Sequence, residues 1–435
     1  MSDRPSLVPF PDRADATFPL RVSASHRYLE TAHGRPFLLQ GDTAWSLIVG
    51  CSVADAERYL DDRAAKGFTA TIVNLIERCF APDPPRTTDG IEPFDEVADF
   101  RTLRDDYLDR AATVIEAARQ RGILVLLCPA YLGYRDPAYP GFEGRPEGWY
   151  DLVVSQPVTN LGEFGRRVGG ALAHLDNIVW VLAGDRLPGG ALPHMEAMAE
   201  GLRKASSSAL FTAHVHPGRR ALESFAWLEL NQVYSYGIVH RRVHDEYRLE
   251  PPRPVILFES TYENEGDSTR LMIRQQSWWA MLGGACGQFF GGKPVWGAFP
   301  GWREALDTPC ALDQVHLARF FGRLPWWQLA PDLDDQLLVD GLGEHHGLDR
   351  AVAAIASDGS IAVVYVPRHR EIALDFTALL EGRYGARWYD PASGAWQAVG
   401  RFAAAGRWPF TPPGAEDAVL LLERLADEDA QGRTA

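Results

Sequence analysis

The sequence predicts an α/β fold: a (β/α)8 TIM barrel followed by a small C-terminal all-β, sandwich-like domain. Three observations predict it. Eight apolar, β-branched runs alternate with helix-patterned segments over some 260 residues, the signature of repeated βαβ units. Each run stops at turn formers and polar residues, as parallel strands do where they deliver side chains to a functional rim. After about residue 330 the helical period gives way to short alternating runs with turn signals, which mark a separate β unit.

Residues 20–40 alternate apolar and polar and turn at His33-Gly34, a hairpin leading into the first barrel strand, 37–42, which ends on Gly41-Asp42. Residues 53–66 carry a helical period stopped by Gly67. The second strand, FTATIVNLI (68–76), precedes a long loop, 79–100, with prolines at 82, 84, 85 and 93. Helix 104–121 leads to strand ILVLLCPAY (123–131), and loop 132–158 is long enough to wall a cleft. Helix 160–174 leads to NIVWVLAGD (177–185), the most continuous apolar run, which reads as a strand buried on both faces. The remaining strands are 209–216, 228–236, 254–260 and 285–292, with helices at 192–205, 239–248 and 268–282 between them. These boundaries divide the chain into an N-terminal extension (1–19), a barrel (20–330), a β-domain (335–425) and a charged tail (426–435) expected to be disordered. The β-domain opens with a hairpin over 351–367 turning at Asp358-Gly359.

A net charge of −15 with no Lys/Arg cluster excludes a nucleic-acid surface. No run reaches 18 apolar residues, so no membrane span is expected, and the N-terminus shows no apolar signal segment. The five cysteines are widely spaced and odd in number, which argues for reduced thiols and a cytoplasmic location.

The predicted strand ends carry Asp42, Asn74, Glu77, Tyr131, Asp185, His214, His216, Tyr234, Glu259 and Gln288. Asp185 and Glu259 close the fourth and seventh strands. Asp185 is also a ready helix N-cap, the plainer reading of an Asp after a strand. Two carboxylates across a barrel mouth are the equipment of a glycosidase, one protonated to donate to the leaving oxygen and one ionised. Asp42, Trp45, Asn74, Tyr131, His214, Tyr234, Tyr262, Gln288 and Trp296 supply the amides, hydroxyls and rings that bind sugars. No nucleophile elbow, P-loop or H-E-x-x-H motif occurs. Asp42, Asp185, His214 and His216 offer a mixed oxygen/nitrogen set. The first strand nevertheless lacks the H-x-H of barrel metallohydrolases, so no metal and no cofactor is assigned.

The segments PFLLQGDTAWSL, YLDDRAAKGF, NIVWVLAGDRLPGG, FTAHVHPG, FESTYENE and RQQSWWAMLGGACGQFFGG resemble the apiosidase-like proteins of glycoside hydrolase family 140, from about residue 20 to 330. ASDGSIAVVYVP and ARWYDPASGAW resemble the C-terminal β-domain that accompanies them, which carries a collagen-binding label. The resemblance implies a retaining, exo-acting barrel enzyme that removes a terminal apiose or similar sugar from plant polysaccharide side chains. It puts the acid/base on Asp185 and the nucleophile on Glu259. Without a visible signal peptide, an imported oligosaccharide or small glycoside is the expected substrate. The rival readings are a non-catalytic carbohydrate-binding barrel or scaffold and a metal-dependent barrel hydrolase. The oligomeric state is left open.

Overall fold

The computed structural model describes residues 17–96, 99–134 and 148–426. The proposed extension 1–19 and tail 426–435 lie almost wholly outside the described residues.

Eight parallel strands form the barrel: β1 (Leu39–Thr43), β2 (Ala70–Asn74), β3 (Leu124–Cys128), β4 (Ile178–Ala183), β5 (Leu210–His214), β6 (Asn231–Tyr234), β7 (Val255–Glu259) and β8 (Gly287–Phe290). Strand β1 pairs with both β2 and β8, and the ladder runs unbroken from β5 through β1 to β6. The last seam, β5 to β6, is bridged where Leu230 N–H donates to Phe211 O at 3.1 Å. Each strand is shorter than its apolar run, because the run includes the flanking turns.

The barrel obeys the two-residue alternation of a strand. Ala70, Ile72, Leu124, Leu126, Val179, Val181, Phe258 and Phe289 share one buried cluster; Val73, Val125, Leu127, Trp180, Leu182 and Phe211 share another with the helices. Gly41 is required by this packing. A Cβ there would sit 2.1 Å from the Phe289 ring, so the small residue makes room for a large one across the β1–β8 pair. Helix Val53–Ala65 begins at Ser52, whose hydroxyl accepts the Asp55 N–H, and helix Arg270–Leu282 begins at Thr269 in the same way. Helix Pro309–Phe321, which the sequence reading passed over, closes the helical ring after β8.

Antiparallel strands follow: β9 (Leu329–Pro331), β10 (Leu338–Asp340), β11 (Val352–Ala356), β12 (Ile361–Val366), β13 (Ile372–Asp375), β14 (Arg383–Tyr389), β15 (Trp396–Ala403), β16 (Arg407–Phe410) and β17 (Ala418–Arg424). They form a six-stranded sheet in the order β9-β11-β12-β17-β14-β15 and a three-stranded sheet in the order β10-β13-β16. Leu338, Val364, Leu374, Tyr384 and Leu420 lie in a common core. The larger sheet packs on helix Arg270–Leu282. There Trp278 stacks on Tyr365 at 5.8 Å and 7°, and Arg274 is buried against Asp313 and Asp417. Covered by the barrel on one side and the sheet on the other, this helix is apolar or paired all round, which accounts for the run QQSWWAML. Among the described residues, no helix is long and apolar enough to cross a membrane, and all five cysteines are free and buried.

Candidate active site

The C-terminal ends of the barrel strands surround a cavity of about 610 Å³, lined by Trp45, Phe80, Tyr131, Tyr134, Asp185, His216, Pro217, Tyr234, Tyr236, Glu259, Tyr262, Glu265 and Trp296. That volume suits a small ligand, for which pockets run from about 300 to 1,000 Å³. Its wall is built of rings meeting edge to face: Phe80 on Trp296 at 5.0 Å and Tyr234 on Tyr236 at 5.1 Å. The indoles are held by hydrogen bonds, Trp45 Nε1 to Tyr262 Oη at 3.0 Å and Trp296 Nε1 to Glu265 Oε1 at 2.8 Å.

Two irregularities of the backbone aim the carboxylates into this cavity. Strand β7 shifts register against β6 between Leu257 and Glu259, a bulge. Phe258 already faces inward, where it stacks on His214 at 4.7 Å. The bulge lets the next residue, Glu259, line the same cavity, which strict alternation forbids. At the exit of β4 three successive residues have left-handed backbone: Ala183 (φ 64°), Gly184 (φ 141°) and Asp185 (φ 49°). Such conformations cost about 1–3 kcal/mol each outside glycine and cluster at functional sites. The turn is held by Gly184 N–H donating to His214 O at 2.7 Å and Leu132 N–H donating to Ala183 O at 3.2 Å. Glycine is obligatory at 184, because a Cβ there would lie 2.4 Å from the Tyr131 ring.

The carboxylates are close. One oxygen of Asp185, one of Glu259 and a ring nitrogen of His214 lie within 4.8 Å of one another. Tyr131 donates to Asp185 Oδ2 at 2.6 Å and Tyr236 donates to Glu259 Oε1 at 3.1 Å, while Tyr234 and Tyr236 join hydroxyl to hydroxyl. Burial and the neighbouring carboxylates hold Tyr131, Tyr234 and Tyr236 far above the usual phenol range, so all three remain donors. Burial first, and then the Asp185 charge, raise the Glu259 pKa, with His214 and Tyr234 pulling the other way. Burial disfavours a charged His214, but Asp185 and Glu259 outweigh it and raise its pKa.

Residues 23–328 match the family described as apiosidase-like, catalytic domain. The chain belongs to the apiosidase-like family. It is therefore a glycoside hydrolase, and its β-domain matches, over residues 333–423, the family described as "Putative collagen-binding domain of a collagenase". Among solved structures, a glycoside hydrolase family 5 protein from Bacteroides vulgatus ATCC 8482 superimposes with a TM-score of 0.81 at 20% identity, covering 96% of each chain. A second glycoside hydrolase gives 0.80 at 21% identity, covering 94% of this chain and 97% of the other. At such identities the likeness is one of fold. No curated protein matches the chain in sequence.

In this apiosidase-like barrel, Trp45, Tyr131, Asp185, Tyr234, Glu259, Tyr262 and Trp296 line the cavity as expected from their rim positions. Four expected sugar contacts sit elsewhere. Asp42 points outward from β1 to helix Val53–Ala65, where it accepts from Tyr59 Oη at 2.9 Å and from Arg63 Nε, both partners buried. Gln288 also faces the helices, donating to Gln314 Oε1 at 2.8 Å and accepting from Ser277. Asn74 is wholly buried. His214 is fully buried too, and lies behind the two carboxylates rather than in the cavity wall. Because Asp42 is taken up by Arg63, the mixed metal set considered from sequence does not assemble. At the remaining trio, the His214 Nδ1 accepts the Asp185 N–H at 3.3 Å. The ring therefore turns a proton, not a lone pair, toward the carboxylates, which is the wrong face for a cation.

Sequence reasoning missed Phe80, Tyr134, Tyr236 and Glu265. Phe80 and Tyr134 lie on long loops with no strand to index them, and residues 135–147 of the second loop lie outside the described residues. Tyr236 was findable: it is the last residue of the sixth apolar run, two beyond Tyr234 and so on the same face.

Proposed function

We propose that the enzyme is a retaining, exo-acting glycosidase that removes a terminal apiose-like or other plant-derived sugar from an oligosaccharide or small glycoside. The observation that carries this reading is the approach of the Asp185 and Glu259 oxygens within 4.8 Å on one wall of an aromatic cavity. Retaining enzymes hold their carboxyl groups about 5–5.5 Å apart, whereas inverting ones leave about 6.5–9.5 Å for a water. Roles follow from depth. The Glu259 side chain is 7% exposed and the Asp185 side chain 19%. The deeper group suits attack on the anomeric carbon; the outer one meets the leaving group and the incoming water. In a double displacement the acid/base enters protonated and the nucleophile ionised, and these are the parts taken by Asp185 and Glu259. The aromatic wall suits a sugar's apolar face, and the tyrosine hydroxyls its oxygens.

The test is a screen of aryl glycosides and plant oligosaccharides against the wild type, Asp185→Asn and Glu259→Gln. Each substitution is expected to lower kcat by about 100-fold or more, with the fold retained. NMR of the first-formed sugar should show the anomeric configuration of the substrate. Inversion, or full activity in either variant, overturns the reading.

A further inference from the structure

His214 lies against both carboxylates and Tyr234, yet is not part of the cavity lining. Its ring is sandwiched between Trp45 (5.4 Å, 24°) and Phe258 (4.7 Å, 26°), with Tyr234 tilted against it at 4.9 Å. Its side chain is 0% exposed, so neither rotation nor solvent can relieve it. The charged and titratable groups that face it are Asp185 from the β4 exit, Glu259 from β7 and Tyr234 from β6. Behind these, Tyr131 and Tyr236 hold the far oxygens of the two carboxylates.

The two ring nitrogens have different tasks. Nδ1 accepts the Asp185 N–H at 3.3 Å, while the His214 carbonyl accepts the Gly184 N–H at 2.7 Å. One residue thus holds two successive amides of the left-handed turn. With Nδ1 engaged as an acceptor, the ring carries its proton at Nε2. That nitrogen lies 3.1 Å from Glu259 Oε2 and 3.6 Å from Asp185 Oδ1. A single N–H faces the two carboxylates, nearer Glu259, and makes a regular hydrogen bond with neither in this resting geometry, so it is not committed to either one.

We propose that His214 is a positioning residue whose Nε2–H serves both carboxylates in turn, stabilising whichever is ionised at each stage of the double displacement. The proposal rests on the roles given to Asp185 and Glu259 above. In the first half-reaction, a Glu259 oxygen bonds to the anomeric carbon as the glycosidic bond breaks. The Asp185 proton passes to the leaving oxygen. Glu259 is then a neutral ester and Asp185 an anion, so the N–H is drawn to Asp185 Oδ1. In the second, a water oxygen bonds to the same carbon, its proton returns to Asp185, and the Glu259–carbon bond breaks with its electrons restoring the carboxylate. The N–H turns back. His214 neither gains nor loses a proton. A donor already in place meets the moving charge with no reorganisation of solvent, the source of most electrostatic catalysis. It also lowers the basicity of each carboxylate only while that group is the anion.

The experiment compares His214→Gln, His214→Asn and His214→Phe with the wild type, on the aryl glycoside that the screen above identifies. The Gln amide reaches the Nε2 position and can donate there. The Asn amide reaches only the Nδ1 position, and Phe supplies neither. The expected result is kcat within about 10-fold of wild type for Gln, and losses of about 100-fold or more for Asn and Phe, with KM changed only about threefold. Phe as active as wild type, Gln no better than Phe, or Asn active where Gln is not would each overturn the proposal; the last would reduce His214 to a backbone clamp. Should these variants fail to fold, 15N NMR of the wild-type imidazoles decides. The histidine whose signals move when the 2-deoxy-2-fluoro form of that glycoside esterifies Glu259 should be protonated at Nε2 and bare at Nδ1. The opposite tautomer overturns the proposal. Glu259→Gln separates the two levels: if it turns over the glycoside like wild type, the nucleophile assignment fails; if it is inactive while His214→Phe is not, only the role of His214 fails.

Discussion

At the residue scale, the site stores unfavourable energy in two forms. One is charge. Glu259 is buried beside Asp185, and its pKa is raised for that reason. A carboxylate whose native pKa lies above its unfolded one binds its proton more tightly in the folded state. Folding stability from this group is therefore intact below the ordinary value of about 4.5 and falls as pH rises through the native pKa. Glu259→Gln removes the ionisable group, so its melting temperature should exceed that of wild type at pH 8, and the gain should shrink toward pH 4.5. Melting curves at the two pH values check this; a constant difference would assign the effect to packing instead. The other form is backbone strain at Ala183 and Asp185, the non-glycine residues at positive φ that flank Gly184. Gly184→Ala adds a Cβ 2.4 Å from Tyr131 at a φ of 141°, and should destabilise by about 2–4 kcal/mol. Because Tyr131 is the donor to Asp185, kcat should fall as well, by more than the melting temperature alone explains.

At the element scale, the parity of each strand decides which polar residues reach the cavity. Strand β1 turns Gln40 and Asp42 to the helices, and Asp42 becomes the partner of Arg63, whose side chain is 1% exposed. Asp42→Asn would leave that buried guanidinium with Asp62 as its carboxylate partner, at a cost of about 1–3 kcal/mol. Since Asp42 does not touch the cavity, KM for the aryl glycoside should stay unchanged; a KM effect at permissive temperature would return Asp42 to the binding surface. Strand β7 breaks its own parity with the bulge before Glu259, and the β4 exit does so with its three left-handed residues. The irregular strand ends carry the carboxylates, and the regular ones carry the framework.

At the scale of the whole molecule, barrel and β-domain share one hydrophobic cluster, in which Val363, Tyr365, Val419 and Leu421 join Trp278 and the barrel interior. Arg274 lies at its edge, 2% exposed, donating to Asp417 Oδ2 at 2.9 Å and to Asp313 Oδ2 at 3.0 Å; Tyr365 donates to the same Asp417 oxygen. Asp417→Ala should therefore destabilise the chain by about 3 kcal/mol or more. Calorimetry should show a single transition for the full chain, with the variant's shifted as a whole. Two separated transitions would mean that the β-domain is only tethered. The same packing predicts that a barrel cut at residue 330 exposes Trp278 and aggregates.

The amino-acid sequence by itself determined the number and order of the barrel strands, the change to antiparallel structure near residue 330, and the positions of Asp185 and Glu259 at strand ends. Each of these is written locally, in apolar runs and in the turn residues that stop them. Only the tertiary structure decided which way Asp42, Asn74, His214 and Gln288 face. In a strand buried on both sides every position is apolar or paired, so the alternation that would reveal its faces carries no contrast. For the same reason the bulge at 257–259 and the left-handed turn at 183–185 leave no mark on hydrophobicity. They exist because His214, Tyr131 and the neighbouring strands supply the contacts that hold them, and those partners lie far away in the chain.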